Sequence, residues 1–133
     1  MPAVVWINSS SAPFLDDICA RLKPFETRSR NMLQSLVGQR VIFAESARGA
    51  RLARCSAVIR SVFTVTSREQ WDALRPLHRV PVGNMYDWKP GTKNKYLYEL
   101  SNIRILRPFR IPEEGVPHGR SWFEYSNKRR NAK

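Results

Sequence analysis

A chain of 133 residues, 42% of them hydrophobic, has material for one domain around one core. Its 6 Phe, 4 Trp and 4 Tyr exclude global disorder despite the charge. Lys and Arg number 23 against 11 Asp and Glu, a formal charge of +12, and that balance speaks of polyanionic partners, nucleic acid first among them.

The chain opens on MPAVVWINSS, which lacks the basic start of a secretory signal. Val4 to Ile7 make a short β-type run, stopped by Ser9-Ser10-Ser11. One of these serines caps a helix with Pro13 in its first turn and Asp16 and Asp17 near its positive end. Phe14, Leu15, Ile18 and Leu22 recur at three- and four-residue intervals and give the helix an apolar face. Pro24 is expected to end it, since proline disfavours helical geometry in the residue before it. After the break, period two places Glu26, Arg28 and Arg30 on one face of an extended segment, with Phe25, Thr27 and Ser29 on the other.

Val41 to Ala44 reads as a buried strand, and Arg48-Gly49 as a turn into a long strand from Leu52 to Val65. In that strand Cys55, Ala57, Ile59, Phe63 and Val65 are expected to face one way, and Arg54, Ser56, Arg60 and Thr64 the other. Thr66 or Ser67 caps a second helix, TSREQWDALRPLH, which turns Trp71 and Leu74 toward a core, with Leu77 a further candidate for that face. Val80 to Lys95 is a long loop carrying Met85, Tyr86 and Trp88, and aromatic loops of this length more often wall a site than merely connect. Lys95 to Leu106 reads as a strand, HGRSWFEY as a last short one, and residues 126–133 as a basic, frayed tail. Residues 1–125 are thus expected to form a small α+β barrel with a helix over an open mouth.

Cys19 and Cys55 sit in apolar patterns without metal-type spacing. As buried thiols they suit a reducing cytoplasm, the expected location. His78 and His118 are isolated, no Gly-rich phosphate loop or internal repeat occurs, and no apolar segment approaches the ~20 residues that span a bilayer. No metal, cofactor or membrane partner is expected; the oligomeric state is left open.

The stretch KPFETRSR, Lys23 to Arg30, concentrates the chemistry. Glu26 precedes Arg28 on one strand face, where a carboxylate can fix a guanidinium and present its planar fork to a phosphate or base edge. Lys23 lies at the helix exit, Arg30 extends the positive strip, and Arg40, Arg54 and Arg60 broaden it on neighbouring strands. The competing reading is a solvated strand with incidental ion pairs of ~0–1 kcal/mol each. Spacing alone does not decide between them.

The order of elements, with Lys23 at the helix exit followed by Glu26-Thr27-Arg28, resembles the ASCH domain of the PUA-like superfamily. That family's signature is G-x-K-x-x-E-x-R. Lys23, Glu26 and Arg28 match it, whereas Arg21 stands where the family usually has glycine. The resemblance implies a PUA-like β-barrel whose cleft, between the first helix and the barrel, is lined by the lysine, glutamate and arginine. Such clefts are associated with RNA or nucleotide binding. Some relatives are small hydrolases, among them an amidohydrolase on modified cytidine and a ribonuclease. The amidohydrolase carries threonine where this chain has Glu26; Thr27 is one residue off and, by period two, on the opposite face.

The expected function is therefore recognition of a base and its phosphate in RNA or a single nucleotide, with DNA a further possibility. Lys23, Glu26, Arg28, Arg30, Tyr86, Trp88, His118 and Ser121 are the candidate binding residues. A loop ring can stack on a base for ~1–3 kcal/mol, Gly119 lets backbone approach a ligand, and His118 or Ser121 can donate to it. Were the protein an enzyme, Lys23 and Glu26 would be its catalytic candidates. A module presenting a basic face to an acidic protein is the third class.

Overall fold

The computed structural model describes residues 3–46, 51–112 and 121–125. Six strands form one sheet in the order β2-β5-β4-β3-β1-β6: β1 (Ala3–Ile7), β2 (Phe25–Arg28), β3 (Arg40–Glu45), β4 (Leu52–Val65), β5 (Lys95–Arg110) and β6 (Trp122–Glu124). Only β1 and β3 run parallel; the other neighbours are antiparallel. The helices are α1 (Phe14–Cys19), α2 (Arg68–Ala73) and α3 (Arg75–His78). Among the described residues no helix is long and apolar enough to cross a membrane, and no cluster of His, Cys, Asp or Glu could hold a metal ion.

The sheet curls into a half-barrel, because the long strands β4 and β5 carry irregularities near Ala53, Ser56 and Ile59 that bend them. The same irregularities reset the alternation along β4, so Phe63, expected inward, is half-exposed and meets Phe25 edge-on at 5.9 Å. The concave side holds the main core, including Val5, Ile7, Leu15, Ile18, Phe43, Ile59, Trp71 and Leu97. Val4, Ala44, Ala53, Phe123 and, just past β5, Ile111 form a smaller second cluster.

Among the described residues no backbone ladder joins the two edge strands, β2 and β6, to close the half-barrel. Side chains cross the seam instead: Arg28 Nη2 donates to the Trp6 carbonyl at 2.7 Å, and Trp122 Nε1 to the Met32 carbonyl at 3.1 Å. Such an open seam leaves room for a site, since the backbone there need not be filled by a neighbouring strand.

The first helix stops before Pro24. It runs only to Cys19, and Arg21 adopts φ 63°. Arg21 N–H bonds the Ile18 carbonyl at 3.0 Å and Leu22 N–H the Asp17 carbonyl at 2.8 Å, the paired bonds of a Schellman ending whose left-handed residue is usually glycine. The family pattern's glycine position is thus occupied by a strained arginine, whose guanidinium also donates to the Ile103 carbonyl at 3.1 Å. Leu22 is left half-exposed rather than on the apolar face.

The second helix divides at Leu74 into α2 and α3. Ser67 caps α2 by accepting from Gln70 N–H at 3.1 Å, Trp71 is fully buried, and Leu77 is exposed. The expected turn at Arg48-Gly49 and the tail from residue 126 lie outside the described residues.

Arg21→Gly removes the left-handed penalty and Arg21→Ala keeps it while removing the guanidinium. The glycine variant is expected to be the more stable of the two by about 1 kcal/mol; urea denaturation of both checks this.

Candidate nucleotide-binding cleft

A cleft of about 270 Å³ opens between β2 and the C-terminal end of β1. Its floor is charged, with Lys23, Glu26, Arg28 and Lys95; its walls carry the rings of Trp6, Phe14 and Tyr86; its rim includes Asn8, Thr27, Ser29 and Ser46.

Lys23 follows the Schellman turn, which sends the chain from α1 back toward the sheet. Its side chain is only 1% exposed. Nζ donates to the His78 carbonyl, lies 5.0 Å from the Phe14 ring centroid and sits 3.9 Å from Glu26 Oε1. Burial pulls its pKa down to about 8, with Glu26 and Asp17 acting the other way.

Glu26 and Arg28 alternate along β2, so both reach the cleft. Glu26, 6% exposed, places Oε2 2.9 Å from Arg28 Nη2. That same nitrogen bonds the Trp6 carbonyl, and Nη1 approaches Met32 Sδ at 4.0 Å. The guanidinium is thereby fixed across the seam, while its Nε is buried without a hydrogen-bond partner. Glu26 Oε1 accepts no hydrogen bond from a described residue.

The supports of this floor are in the core. The His78 ring stacks on Trp71 with centroids 3.8 Å apart. Nδ1 accepts from Val80 N–H at 3.0 Å and Nε2 lies 2.9 Å from the Trp71 carbonyl, so the neutral ring carrying its proton on Nε2 satisfies both contacts. Burial lowers the His78 pKa to about 4. Arg79 Nε donates to Asp17 at 3.2 Å and ties the end of α3 to α1.

The aromatic loop is organised by Asp87. Its carboxylate accepts from Trp71 Nε1 at 2.6 Å, Gly83 N–H at 2.9 Å and Trp88 N–H at 2.9 Å, and pairs with Arg75 at 3.1 Å. Burial alone would raise its pKa, but these donors hold it well below the usual carboxylate range. Gly83 turns the chain with φ 79°, and Tyr86 reaches the cleft with its ring 6.0 Å from Phe14.

Of the residues singled out from the sequence, the cleft brings together Lys23, Glu26, Arg28 and Tyr86. Arg30 does not share their face: β2 ends at Arg28, and Arg30 is exposed beyond it. Trp88 is half-buried and packs toward Trp71, with centroids 6.4 Å apart, rather than lining the cleft. Ser121 precedes β6 and uses its carbonyl to accept from Trp6 N–H at 3.0 Å. His118 and Gly119 lie outside the described residues. Arg54 turns to Asp16 of α1, and Arg40 donates to Ser56 at 2.9 Å; neither lines the cleft. Thr27 and Ser29, assigned to the far face by period two, border the cleft at its rim.

Lys95 is the residue sequence reasoning missed. It is 8% exposed, donates from Nζ to the Tyr86 carbonyl at 2.8 Å and sits 5.4 Å from the Trp71 ring centroid. Burial lowers its pKa, against the pull of Asp87. A signal was present: Lys95 shares strand parity with the core residue Leu97, which places a lysine on an apolar face.

No family model matches the sequence, and no curated protein matches it. Solved structures do. An ASCH protein from Zymomonas mobilis superimposes with a TM-score of 0.76 at 14% identity, over 98% of this chain and 91% of that one. A serine-to-alanine variant of it gives 0.76 at 15% identity, over 98% and 92%. The N-terminal domain of Staphylothermus marinus McrB gives 0.52 at 14% identity, over 98% and 91%. The chain has the ASCH fold, a PUA-like α+β half-barrel.

Two outcomes test this geometry. Glu26→Ala leaves the buried Lys23 and the partly buried Arg28 without their shared carboxylate and is expected to cost about 3–5 kcal/mol in denaturant melts. The unfolded chain protonates His78 near 6.5 and the native ring only near 4, so between those values the unfolded state binds the extra proton. Stability should therefore fall as pH drops from 6.5 toward 4, by up to about 1.4 kcal/mol per pH unit. Urea midpoints across that window check it.

Proposed function

We propose that the protein binds RNA or a single nucleotide, holding a base and its phosphate in the cleft between β2 and β1. The observation that carries this is the convergence of Lys23, Glu26 and Arg28 with the Phe14 and Tyr86 rings in one small hollow. About 270 Å³ falls just below the usual range for small-molecule pockets, about 300–1,000 Å³. It suits one splayed base or nucleotide, not a duplex.

Each group has a role. Lys23 and Arg28 attract the phosphate. Tyr86 offers a face to a base, as rings do for unpaired nucleotides. Glu26 has one oxygen committed to Arg28 and the other without a hydrogen bond among the described residues, so it can accept from an exocyclic amino group. Arg30, exposed beyond β2, and the net charge of +12 contribute long-range attraction.

Hydrolysis is the second reading, favoured by one observation. Lys23, with a pKa of about 8, is nearer to a usable base than an ordinary lysine. It predicts product formation from acylated nucleosides or RNA, abolished in Lys23→Ala while the fold survives.

Binding of a panel of nucleotides and short oligomers separates the classes. Recognition predicts saturable binding, weakened ~10-fold or more by Arg28→Ala, with altered base preference in Glu26→Gln. Affinity for anionic ligands should decline as pH rises through about 8, where Lys23 loses its proton, and Lys23→Met should abolish that decline. A protein-interaction module would instead show little RNA affinity and no steep fall with salt. Comparison with a chain ending at Tyr125 removes any contribution from the basic tail.

A further inference from the structure

We propose that the cleft selects a phosphomonoester, the dianionic monophosphate of a nucleotide or of an RNA strand end, over an internal phosphodiester. This rests on the nucleotide-binding reading and narrows it to one chemical form of the phosphate.

The first support is an inventory of donors. An ammonium group has three N–H bonds to give. Lys23 Nζ spends one on the His78 carbonyl, and Glu26 Oε1 at 3.9 Å is beyond hydrogen-bond reach. Lys95 Nζ spends one on the Tyr86 carbonyl. Two donors on each lysine are therefore unspent among the described residues, and Arg28 Nε has no partner either. All three side chains line the same cleft. Protein interiors rarely leave buried donors unmade, because each costs about 1–3 kcal/mol. Donors left over in a hollow are a complement to an acceptor-rich ligand.

Charge is the second support. Lys95 has no carboxylate within ion-pair distance among the described residues; Asp87, which acts on it from further away, is engaged by Arg75, Trp71, Gly83 and Trp88. Among the described lining residues three cations face one carboxylate, which leaves two positive charges in the cleft. A phosphodiester brings one negative charge. A phosphomonoester brings about −1.5 to −2 at pH 7, together with three strong acceptor oxygens. The monoester answers the two positive charges, and its three oxygens meet more of the five unspent donors than a diester's two can.

The test uses the full chain and a matched ligand series: a nucleoside, its 5′- and 3′-monophosphates, the methyl ester of the 5′-monophosphate, a dinucleotide with hydroxyls at both ends, and inorganic phosphate. At pH 7 the monophosphate is expected to bind at least ~10-fold more tightly than its methyl ester. The preference should shrink at pH 5, because the second phosphate proton returns near pH ~6. Lys95→Met should reduce it further, with circular dichroism verifying the fold; Lys95→Gln serves if the methionine variant does not fold. Equal binding of monoester and methyl ester, or a preference untouched by pH, would overturn the phosphomonoester assignment and leave nucleotide recognition standing. If no nucleoside, nucleotide or oligomer binds, both fall together.

Discussion

A cation taken out of water is the constraint around which this molecule is arranged. Lys23 is 1% exposed, and desolvating an ammonium costs several kcal/mol unless charge and hydrogen bonds offset it. Each offset comes from a different element: a carbonyl from the end of α3, a carboxylate from β2, a ring face from α1. The short helices and the sheet are therefore held in register by what one side chain requires.

The seam follows from the same group. Arg28 neutralises the outer oxygen of Glu26 and bonds the Trp6 carbonyl with the same nitrogen, so charge compensation and barrel closure are one interaction. A backbone ladder between the edge strands β2 and β6 would have closed the barrel more simply and left no hollow. Side-chain closure admits a ligand beside the bridging guanidinium, which explains how a small half-barrel can carry a polar site without breaching its core.

Much of this was legible in the sequence, where local chemistry and fold agreed. Lys23 before a strand bearing Glu26 and Arg28 foretold a shared face, and Ser67 with Gln70 foretold a helix start. The misses have physical causes. Pro24 is a natural helix stop, but the Schellman bonds at Arg21 end α1 earlier, and arginine carries no sequence signal for a left-handed turn. Period two extended Arg30 onto the charged face because nothing in the sequence marks where β2 ends. Phe63 failed because irregularities in β4 shift parity, and those depend on the partner strand β5. Trp88 was drawn toward the site by its loop, whereas Asp87 accepts its backbone N–H and it packs toward the core tryptophan. Lys95 was the opposite case: its parity with Leu97 marked it inward, but a lysine at a strand start reads as solvent-facing.

The anchoring of the two lysines to main-chain carbonyls, His78 for one and Tyr86 for the other, has an evolutionary corollary. Exchanging either cation for another chemistry strands a carbonyl acceptor in the interior, so drift at the floor is coupled to survival of the whole domain. Asn8, Thr27, Ser29 and Ser46 carry no such burden. Divergence in ligand choice among chains of this architecture should accordingly accumulate along the rim, leaving the two anchored lysines as the inherited fixture.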